Sequence, residues 1–389
     1  MLRPTWAEIS ISRLRRNYAR VRKLAGKRSV MAVVKADAYG HGAAQVAKVL
    51  SQPDSKGNPG VDWFGVATAE EALELRAAGI EQPILLLGGL YMSDPADLVE
   101  YRLTPSVSST ARLDTYAECA RRYGKPVEFH LKVDTGMGRL GVPLDHLETF
   151  LKHYRDLTSA PGGAGLRMTG FFTHLASAED MVSTQTDEQG ERFKDALAEV
   201  RAQGFAPQWI HVSNSAAVLA GRAFDSENMV RAGALLWGMC LPLVTATGAD
   251  PDSQKDFEPI LTFKSRVVYL KDVPSGTPLG YGAAFHARRP SRIATVPVGY
   301  ADGLSRRLSN RGRGIVRGQP APIVGNISMD LTLFDVTGVP GVEVGDEIVL
   351  IGTMDGNSIT ALEIARQIST VPYEVLCAIG KRVPRIYVE

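Results

Sequence analysis

Eight short apolar runs alternate with amphipathic segments between about residue 29 and about residue 240, and this alternation constrains the fold most strongly. Several runs are apolar on both faces, which is typical of parallel strands buried between layers. An uninterrupted series of eight strand-helix units favours a closed (β/α)8 barrel over an open doubly wound sheet. The runs are SVMAVVK (29–35), WFGVA (63–67), PILLLGG (83–89), TPSVS (104–108), VEFHLKVD (127–134), RMTGFFTHL (167–175), WIHVSN (209–214) and MVRAG (229–233).

Two segments between the runs carry recognisable helix boundaries. AEEALELRAAG (69–79) is predicted to form a helix that ends at Gly79. Residues 108–124 begin with serines that are predicted to cap a helix, and they end at Gly124. In a barrel the carboxyl ends of the strands meet at one face, so reactive side chains from several strands are expected there.

The residue pattern of the sequence changes after residues 242–259, which contain three prolines and several acidic residues. We interpret this segment as an interdomain connection. Beyond it, short β-branched runs separated by Gly and Pro predict a mostly β domain, with a helical pattern only at 359–368. The predicted domains are therefore a barrel over residues 11–242 and a β domain over residues 243–389.

The composition excludes several classes of protein. The net charge is only +2 and no basic block occurs, so binding to nucleic acid or to a membrane surface has no support. The three cysteines lie far apart, which fits a reducing compartment. The first residues have no apolar leader, and no stretch approaches about 18 apolar residues. We therefore expect a soluble, cytoplasmic protein.

Two common enzyme classes are also disfavoured. GMGRLG (136–141) has the GxGxxG spacing after a predicted strand, but this spacing alone is a weak signal, and the eight strand-helix units favour a barrel over the doubly wound sheet of a dinucleotide-dependent dehydrogenase. The seven histidines form no HxH or HExxH pair, which argues against a zinc hydrolase, and no metal is expected.

The first apolar run ends at Lys35, which places this lysine at the catalytic rim of the predicted barrel. Partial loss of hydration there favours the neutral, nucleophilic amine that a Schiff-base lysine needs. A merely solvated lysine at the rim is the alternative. The residues that follow, Tyr39 to Gly42, add a phenol and two flexible glycines, which suit contact with a phosphate.

The segment VVKADAYGHG (33–42) resembles the pyridoxal-phosphate (PLP) lysine motif of alanine racemases. Further blocks resemble the same family in the same order along almost the whole chain. They are LKVDTGMGRLG (131–141), THLASAED (173–180), VSNSAA (212–217), VRAGALLWG (230–238), LGYGAAF (279–285), VPVGYADG (296–303), NISMD (326–330) and VPYE (371–374). The resemblance implies a PLP-binding barrel followed by a β domain, which an N-terminal strand within residues 1–10 would join.

The resemblance also implies a set of cofactor-binding residues. Lys35 would hold PLP as an internal aldimine, and residues after the last barrel strands would surround the phosphate. For Ser215 the alternative is a helix N-cap. The implied cofactor-binding residues are Lys35, Tyr39, His174, Asn214, Ser215, Arg231, Gly233, Ala234 and Tyr373.

By the same resemblance, Arg231 would face the pyridine nitrogen of PLP. An arginine stays protonated and can only donate, so the ring nitrogen would remain unprotonated. The carbanion would then be short-lived, which disfavours transamination. His174 would support Arg231 by a hydrogen bond. The alternatives are a surface salt bridge for Arg231 and a packed, satisfied core histidine for His174.

Racemisation needs two groups on opposite faces of the substrate Cα. The resemblance implies Lys35 for one face and Tyr281, acting across a dimer interface, for the other. A phenol acts as a base near neutral pH only with help from positive charge or hydrogen bonds, and His174 and Arg231 are the candidate neighbours. For Tyr281 the alternative is a surface aromatic in a β-hairpin.

Further residues are assigned to the substrate by the same resemblance. Arg139 would bind the substrate carboxylate or the Tyr281 region, Met329 would donate a backbone N–H to that carboxylate, and Tyr300 would narrow the entrance. Lys132 matches a lysine that is often carbamylated in the family, and a carbamate would hold Arg139.

The resemblance implies a homodimeric racemase that interconverts L-alanine and D-alanine through a PLP aldimine by a two-base mechanism. The D-alanine would supply peptidoglycan synthesis. The alternatives are a broader racemase that also accepts serine, a decarboxylase with an acidic residue at the pyridine nitrogen, and a non-catalytic, single-domain PLP-binding protein.

Overall fold

The computed structural model describes residues 3–53, 57, 59–91, 94–159, 165–250 and 252–389. Residues 1 and 2 of the predicted N-terminal segment and residue 251 of the predicted connection lie outside these ranges. The strands are β1 (Thr5–Ser10), β2 (Ser29–Val33), β3 (Trp63–Val66), β4 (Ile84–Leu86), β5 (Leu103–Val107), β6 (Val127–Asp134), β7 (Val142–Pro143), β8 (Leu166–Phe172), β9 (Trp209–His211), β10 (Met229–Ala232), β11 (Leu243–Thr245), β12 (Gly248–Asp250), β13 (Leu261–Arg266), β14 (Tyr269–Val273), β15 (Pro278–Leu279), β16 (Phe285–His286), β17 (Ser291–Val296), β18 (Arg313–Val316), β19 (Gln319–Pro322), β20 (Thr332–Asp335), β21 (Glu347–Met354), β22 (Asn357–Ile359) and β23 (Arg385–Val388).

Helices fill most of the intervals between the first ten strands, and two more occur near the C-terminus. They are α1 (Ile11–Ala25), α2 (Lys35–Gly40), α3 (Ala43–Ser51), α4 (Ala69–Ala77), α5 (Ala96–Glu100), α6 (Thr110–Tyr123), α7 (Leu147–Ser159), α8 (Gln185–Ala202), α9 (Ser215–Leu219), α10 (Ala361–Ile368) and α11 (Pro372–Cys377). Short 3₁₀ helices span Leu144–His146, Tyr281–Ala283, Tyr300–Asp302 and Arg306–Leu308. Among the described residues, no helix is both long enough and apolar enough to cross a membrane.

The contacts divide the chain into two compact units, and the first, the barrel unit, comprises Arg15–Ala38 and Ala43–Phe257. Its parallel strands pair in the order β10-β2-β3-β4-β5-β6-β8-β9, so eight strands form a nearly closed barrel. Each of these strands coincides with one of the eight apolar runs of the sequence. The predicted (β/α)8 barrel is therefore confirmed.

The barrel strands are apolar on both faces because both faces are buried. Every residue of β3, β4 and β5 is buried. Met31, Trp63, Leu85 and Met229, from four neighbouring barrel strands, pack into one cluster. Each large apolar side chain removed from water in this way stabilises the fold by about 1.5–3 kcal/mol.

The two helix boundaries predicted from the sequence turn out differently. Helix α4 begins with a capping box between Thr68 and Glu71, and Gly79 follows its end with a φ of 84°. Helix α6 ends as predicted at Gly124, whose φ is 61°. Ser109 stands at the N-cap of α6 but its side chain makes no capping hydrogen bond, so the predicted serine cap is wrong.

The turn-rich segment after the barrel contains structure that its composition does not indicate. β11 and β12 form an antiparallel hairpin, and the Val244 N–H donates to the Glu179 carbonyl at 2.8 Å within the barrel unit. The contact boundary between the two units lies after Phe257, whereas the sequence prediction sets it after residue 242.

The second unit, the β unit, comprises the N-terminal residues to Leu14, the short segment Tyr39–Gly42, and Glu258–Glu389. Its main sheet has the order β19-β18-β21-β13-β1-β23, with β22 on β21, and a smaller sheet has the order β14-β17-β20. β1 pairs antiparallel with β13 and parallel with β23, so the N-terminal strand belongs to this sheet. A mostly β second part, with helices only late, is what the sequence predicts.

Candidate active site

Lys35 lies where the first barrel strand ends and a left-handed helical turn begins. β2 ends at Val33, and the four residues from Ala36 to Tyr39 have φ values between 52° and 56°. For residues other than glycine this conformation costs about 1–2 kcal/mol each, and it occurs normally as single residues rather than as a run. Strain of this kind persists only where the surroundings fix it, and it is concentrated at functional positions.

Neighbouring groups of the barrel unit hold the strained turn in place. The Ala38 N–H donates to the Val34 carbonyl at 2.8 Å. The Ala36 N–H donates to Glu71 Oε1 at 2.6 Å, and Glu71 is also the N3 residue of the capping box of α4. The start of the turn, and with it Lys35, is therefore tied to helix α4, which follows the second barrel strand.

Arg231 on β10 is the most deeply buried cation near the carboxyl ends of the strands, with 4% of its surface exposed. Its terminal nitrogens donate to the carbonyl oxygens of Thr173, His211 and Val212 at 2.8–2.9 Å. No carboxylate forms an ion pair with it in the part of the chain that the structure describes, so it is not a surface salt bridge. Burial lowers the pKa of Arg231 to about 10, so the group stays charged at neutral pH.

One N–H of this guanidinium is left for a ligand. The side-chain hydrogen bonds of Arg231 within the described residues all come from its two terminal nitrogens. Its Nε–H has no acceptor among these residues. The Nε atom is also not one of the fully buried polar atoms that lack a partner. Arg231 therefore offers a fixed, accessible donor that carries positive charge.

The same guanidinium sets the hydrogen positions of two imidazoles in series. Arg231 Nη1 lies 2.9 Å from His211 Nδ1, and His211 Nε2 lies 2.9 Å from His130 Nδ1. Because a guanidinium only donates, His211 Nδ1 must accept, so Nε2 carries its hydrogen and donates to His130. Burial, together with the charge of Arg231, lowers the pKa of His130 to about 3 and holds the pKa of His211 far below its usual value. Both rings are therefore neutral at neutral pH.

His174 is the third imidazole at this guanidinium. Its Nδ1 lies 3.2 Å from Arg231 Nη2, which is the contact that the sequence predicts. Burial and then the charges of Arg231 and Lys132 hold the pKa of His174 well below its usual value. A neutral His174 accepts from Arg231 at Nδ1 and so presents an N–H at Nε2.

The ring of Phe172, at the end of β8, contacts two cations of the site. Its ring stacks on His211 with a centroid separation of 4.4 Å and an interplanar angle of 11°. Arg231 Cζ lies 5.5 Å from the ring centroid and Lys132 Nζ lies 5.6 Å from it. Cation–π attraction of this kind offsets part of the cost of burying two positive charges together.

Lys132 on β6 is a buried amine among other cations. It is 6% exposed. Burial, and then the charges of Arg231 and Arg139, lower the pKa of Lys132 to about 8, and Lys35 contributes in the same direction while Asp134 opposes it. A substantial fraction of this amine is therefore neutral and nucleophilic slightly above neutral pH.

The loop after β6 presents Arg139. Asp134 Oδ1 accepts from the N–H groups of Gly136, Met137 and Gly138 at 2.9–3.1 Å. Burial acts to raise the pKa of Asp134, but these bonds outweigh it and lower the pKa. The side chain of Arg139 is exposed and makes no hydrogen bond or ion pair with any described residue. Its fork is therefore available to a carboxylate.

Helix α9 begins at the end of β9, and its N-cap is Asn214. The Asn214 side chain accepts from the Ala217 N–H at 3.0 Å. The capping role that is the alternative for Ser215 therefore belongs to its neighbour. Ser215 is the first residue of the helix and is 8% exposed.

Ser215 instead joins the loops that follow the last two barrel strands. Its Oγ accepts from the N–H groups of Gly233 at 2.9 Å and Leu235 at 3.4 Å. The Ala234 N–H between them has no acceptor within the described chain. A hydroxyl and free backbone N–H groups after the last barrel strands are the donors that a phosphate requires.

The donor set of the barrel unit fits PLP. The phosphate needs hydrogen-bond donors such as those around Ser215, an unprotonated pyridine nitrogen needs one donor, and the aldehyde needs an amine. The Nε–H of Arg231 provides the second, and Lys35 at the strained turn provides the third.

Tyr281 of the β unit lies at the tip of the hairpin formed by β15 and β16, and 73% of its surface is exposed. Its carbonyl accepts from Asn326 Nδ2 at 2.9 Å. The hairpin tip is thus attached to the loop that leads to Met329. The hairpin position agrees with the alternative of a surface aromatic, but the attachment to a second predicted site loop does not follow from that alternative.

Tyr300 and Met329 lie on two turns that contact each other. The Tyr300 N–H donates to the Ser328 carbonyl at 3.1 Å. The side chains of Tyr300 and Met329 are 43% and 52% exposed. The Met329 N–H has no acceptor in the described ranges, which leaves it available to a ligand. The β unit therefore brings together Tyr281, Tyr300 and Met329 on neighbouring loops.

Tyr39 and Tyr373 form a second pair in the β unit. Their rings meet edge to face with a centroid separation of 5.9 Å. The segment that carries Tyr39 is fixed beyond it, because Arg385 Nε donates to the Gly40 carbonyl at 3.0 Å. A Cβ atom at Gly40 would lie 2.4 Å from the Leu376 carbonyl oxygen, so only glycine fits.

The sequence reasoning missed three side chains that shape the site. His211 and His130 complete the hydrogen-bonded series from Arg231, and Phe172 links the cations. The available signal was that all three stand on predicted barrel strands, Phe172 and His211 at the carboxyl ends and His130 in the middle of β6. Their mutual contacts are not encoded by spacing, because they come from three different strands.

Family comparison agrees with both parts of the fold. The model for the alanine racemase N-terminal domain matches residues 9–240. The model for the alanine racemase C-terminal domain matches residues 260–387.

Individual proteins match along almost their whole length. The chain is 41% identical to alanine racemase 2 of Caldanaerobacter subterraneus subsp. tengcongensis, over all of this chain and 95% of that protein. An alanine racemase of Clostridium difficile 630 superposes with a TM-score of 0.89 at 33% identity, covering 99% of this chain and 96% of the other. The alanine racemase of Bartonella henselae, whose crystal structure contains covalently bound pyridoxal phosphate, superposes with a TM-score of 0.83 at 29% identity, covering 99% of each chain.

Proposed function

The chain belongs to the alanine racemase family of PLP-dependent isomerases, and from that membership we propose that it interconverts L-alanine and D-alanine by proton transfer at Cα. The observation that carries the proposal is the buried Arg231 guanidinium, which has no carboxylate partner in the described chain and keeps one N–H for a ligand. A decarboxylase of similar fold is disfavoured, because that class is expected to place an acidic residue at the pyridine nitrogen, where this chain has Arg231.

Lys35 would hold the cofactor, and the hydroxyl and N–H groups around Ser215 would bind its phosphate. When bound, PLP withdraws electrons from the substrate Cα and makes its proton removable. Arg231 would donate its Nε–H to the pyridine nitrogen, and it cannot supply a full proton because its pKa stays near 10. His211 and His174 are neutral, so they accept hydrogen bonds from the guanidinium without repelling its positive charge.

Two side chains would move the proton. Lys35 Nζ would take or return it on one face of Cα, and Tyr281 Oη of the partner subunit would do so on the other face. The Nε2–H of the neutral His174 is a donor suited to a phenolate. When one group removes the Cα proton and the other delivers its own proton to the opposite face, the configuration of the carbon is inverted.

The proposed partner is a second copy of the chain. Tyr281, Tyr300, Met329 and Leu331 each expose more than a third of an apolar side chain on the β unit. Clustered exposure of large apolar residues marks an interaction surface. A symmetric homodimer would cover this surface and deliver Tyr281 to the second site.

The substrate carboxylate would be bound by Arg139 and by the Met329 N–H, both of which have no partner in the described chain. Tyr300 would narrow the entrance and restrict the side chain of the substrate. Such a pocket separates alanine from serine poorly, because serine adds only a hydroxyl. We therefore propose alanine as the main substrate and serine as a weak one.

The direct test is α-proton exchange in deuterated water, measured by NMR on the holoenzyme with a panel of L-amino acids. We expect fast exchange and racemisation of alanine, slower turnover of serine, and none with leucine or glutamate. If the protein binds PLP but exchanges the α proton of no amino acid, the racemase proposal fails and the non-catalytic PLP-binding alternative holds. Equal rates for large and small side chains would indicate a broad-specificity racemase.

We propose that Lys132 carries a carbamate. Its neutral amine would attack CO₂, forming one N–C bond and releasing one proton, so that a buried cation becomes an anion. The lowered pKa of Lys132, about 8, supports this, because only the neutral amine reacts. A carbamate would pair with Arg139 and hold its fork toward the substrate.

The carbamate should depend on pH with a defined sign. Because the pKa of Lys132 is lowered from 10.5 to about 8, the reactive amine prevails above pH 8 and is lost as the pH falls below it. Isotopically labelled bicarbonate should give a carbamate carbon signal at pH 8.5 that disappears in the Lys132→Ala variant and persists in a variant of the exposed Lys125. A bare amine at Lys132 in a crystal grown with bicarbonate at pH 8.5 would contradict the proposal.

The biological role that we propose is the supply of D-alanine to peptidoglycan synthesis in the cytoplasm. The supply of D-alanine rests on the family alone, and the cytoplasmic location rests on the reducing compartment that the cysteine usage favours.

A further inference from the structure

Asp302, which the proposed mechanism does not use, is a completely buried carboxylate in the β unit. Its two oxygens accept from Arg3 Nη1 at 2.8 Å and Nη2 at 2.6 Å, and one of them also accepts from the Gly299 N–H at 3.0 Å. A buried charge is tolerated only when several donors compensate it, so this arrangement has few alternative geometries. The turn that contains Asp302 is therefore fixed in position by the N-terminal segment of the chain.

Arg382 extends the network from Asp302 to a second turn. Arg382 Nε lies 3.2 Å from Asp302 Oδ1, and Arg382 Nη2 donates to Asp330 Oδ1 at 2.7 Å. Asp330 directly follows Met329 in the chain. One arginine thus connects the turn of Tyr300 to the turn of Met329.

The two turns also contact each other through their backbones. The Ala301 N–H donates to the Met329 carbonyl at 3.1 Å. A Cβ atom at Gly299 would lie only 2.2 Å from the same Met329 carbonyl oxygen, so the two backbones are as close as glycine permits. A displacement of the Asp302 turn must therefore displace Met329 as well.

We propose that Asp302 is a positioning residue, which through Arg3 and Arg382 fixes the paired turns of Tyr300 and Met329 and so determines affinity for the substrate carboxylate. The inference rests on the proposed function, in which the Met329 N–H binds that carboxylate. A backbone donor contributes to affinity only if its loop is already held in the binding geometry, and binding otherwise has to order the loop.

The Asp302→Asn variant of the holoenzyme tests the proposal, because it keeps the size of the side chain and removes its charge. We expect the KM for L-alanine to rise by about tenfold, the effect of one weakened charge-assisted hydrogen bond. The kcat should change by less than about threefold, since the proton-transfer groups are untouched. The affinity for propionate, a carboxylate that cannot react, should fall in parallel with the rise in KM, and the absorbance of bound PLP should not change.

Arg382→Gln provides a milder variant in case Asp302→Asn does not fold, because Arg382 is half-exposed. It should raise the KM and the propionate Kd by roughly threefold, since Arg3 still holds Asp302. The control is Asp62→Asn in the barrel unit. Asp62 likewise accepts from an arginine and from a backbone N–H, those of Arg22 and Val30, and its loss should lower thermal stability without changing KM.

Two outcomes separate this inference from the proposed function. If the wild-type holoenzyme does not exchange the α proton of alanine, the proposed function fails. If it does, and both variants lose thermal stability while KM and the propionate Kd stay at their wild-type values, Asp302 is only a structural residue and the inference is overturned. A loss of kcat without a change in propionate affinity would overturn it equally.

Discussion

Replacing Lys35 with alanine should reduce alanine racemisation by roughly 10⁴-fold, at the upper end of what one positioned proton-transfer group contributes. It should also remove the visible absorbance that PLP acquires when it is bound covalently. Both effects follow from one amine, because the same Nζ would hold the cofactor and serve one face of Cα. The measurements are the polarimetric rate and the absorption spectrum of the purified protein with added PLP.

The exposed Lys27 lies in the same unit and provides the matched control. Lys27→Ala should keep both the spectrum and the rate. Retention of the wild-type spectrum by Lys35→Ala would mean that another lysine holds the cofactor. Lys132 would then be the candidate, since its lowered pKa favours a neutral amine.

The second large effect is expected for Tyr281→Phe, which removes only the phenolic oxygen. Racemisation should fall by about 10²–10⁴-fold in both directions, as for the loss of one general acid–base group. Exchange of the α proton with solvent should survive for one enantiomer, because Lys35 still serves one face. NMR in deuterated water, run separately with L-alanine and D-alanine, measures this asymmetry.

Tyr269→Phe is the control, because Tyr269 is also an exposed tyrosine of the β unit, at 57% of its surface. It should leave both rates unchanged. If Tyr281→Phe slows exchange equally for the two enantiomers, a two-base scheme does not hold.

Mixing the two inactive variants tests whether the site is shared between subunits. In a dimer of one Lys35→Ala chain and one Tyr281→Phe chain, a shared site would receive intact Lys35 from one chain and intact Tyr281 from the other. Reassociated equal mixtures should then recover roughly a quarter of the wild-type activity. No recovery, with heterodimers demonstrated by native mass spectrometry, would place both residues in the same subunit.

Much of the fold follows from local pattern. Strands buried on both faces must be apolar throughout, so the eight runs were predictable. Each run overlaps an observed barrel strand. Gly79 and Gly124 were predictable as helix ends, because positive φ at those positions favours glycine. The serine cap of α6 failed because a suitable residue at the N-cap does not guarantee that its side chain turns toward the helix.

Other features contradict local preference and could not be predicted from it. The residues Ala36 to Tyr39 contain no glycine and yet adopt a left-handed turn. Their own propensities disfavour it, and hydrogen bonds from outside the turn, such as that of Ala36 to Glu71, supply the compensation. The β11–β12 hairpin likewise depends on its pairing with the Glu179 region.

The sequence by itself determined the barrel, the β-rich second part, and the chemical types of residue at the carboxyl ends of the strands. The tertiary structure alone decided which of those residues act on one another. Arg231, His211 and His130 are joined across three strands, and Asp302 bonds to Arg3 from the other end of the chain. Periodicity reports which face of a strand is buried, whereas the protonation of a buried group depends on charges and donors that reach it only after the chain has folded.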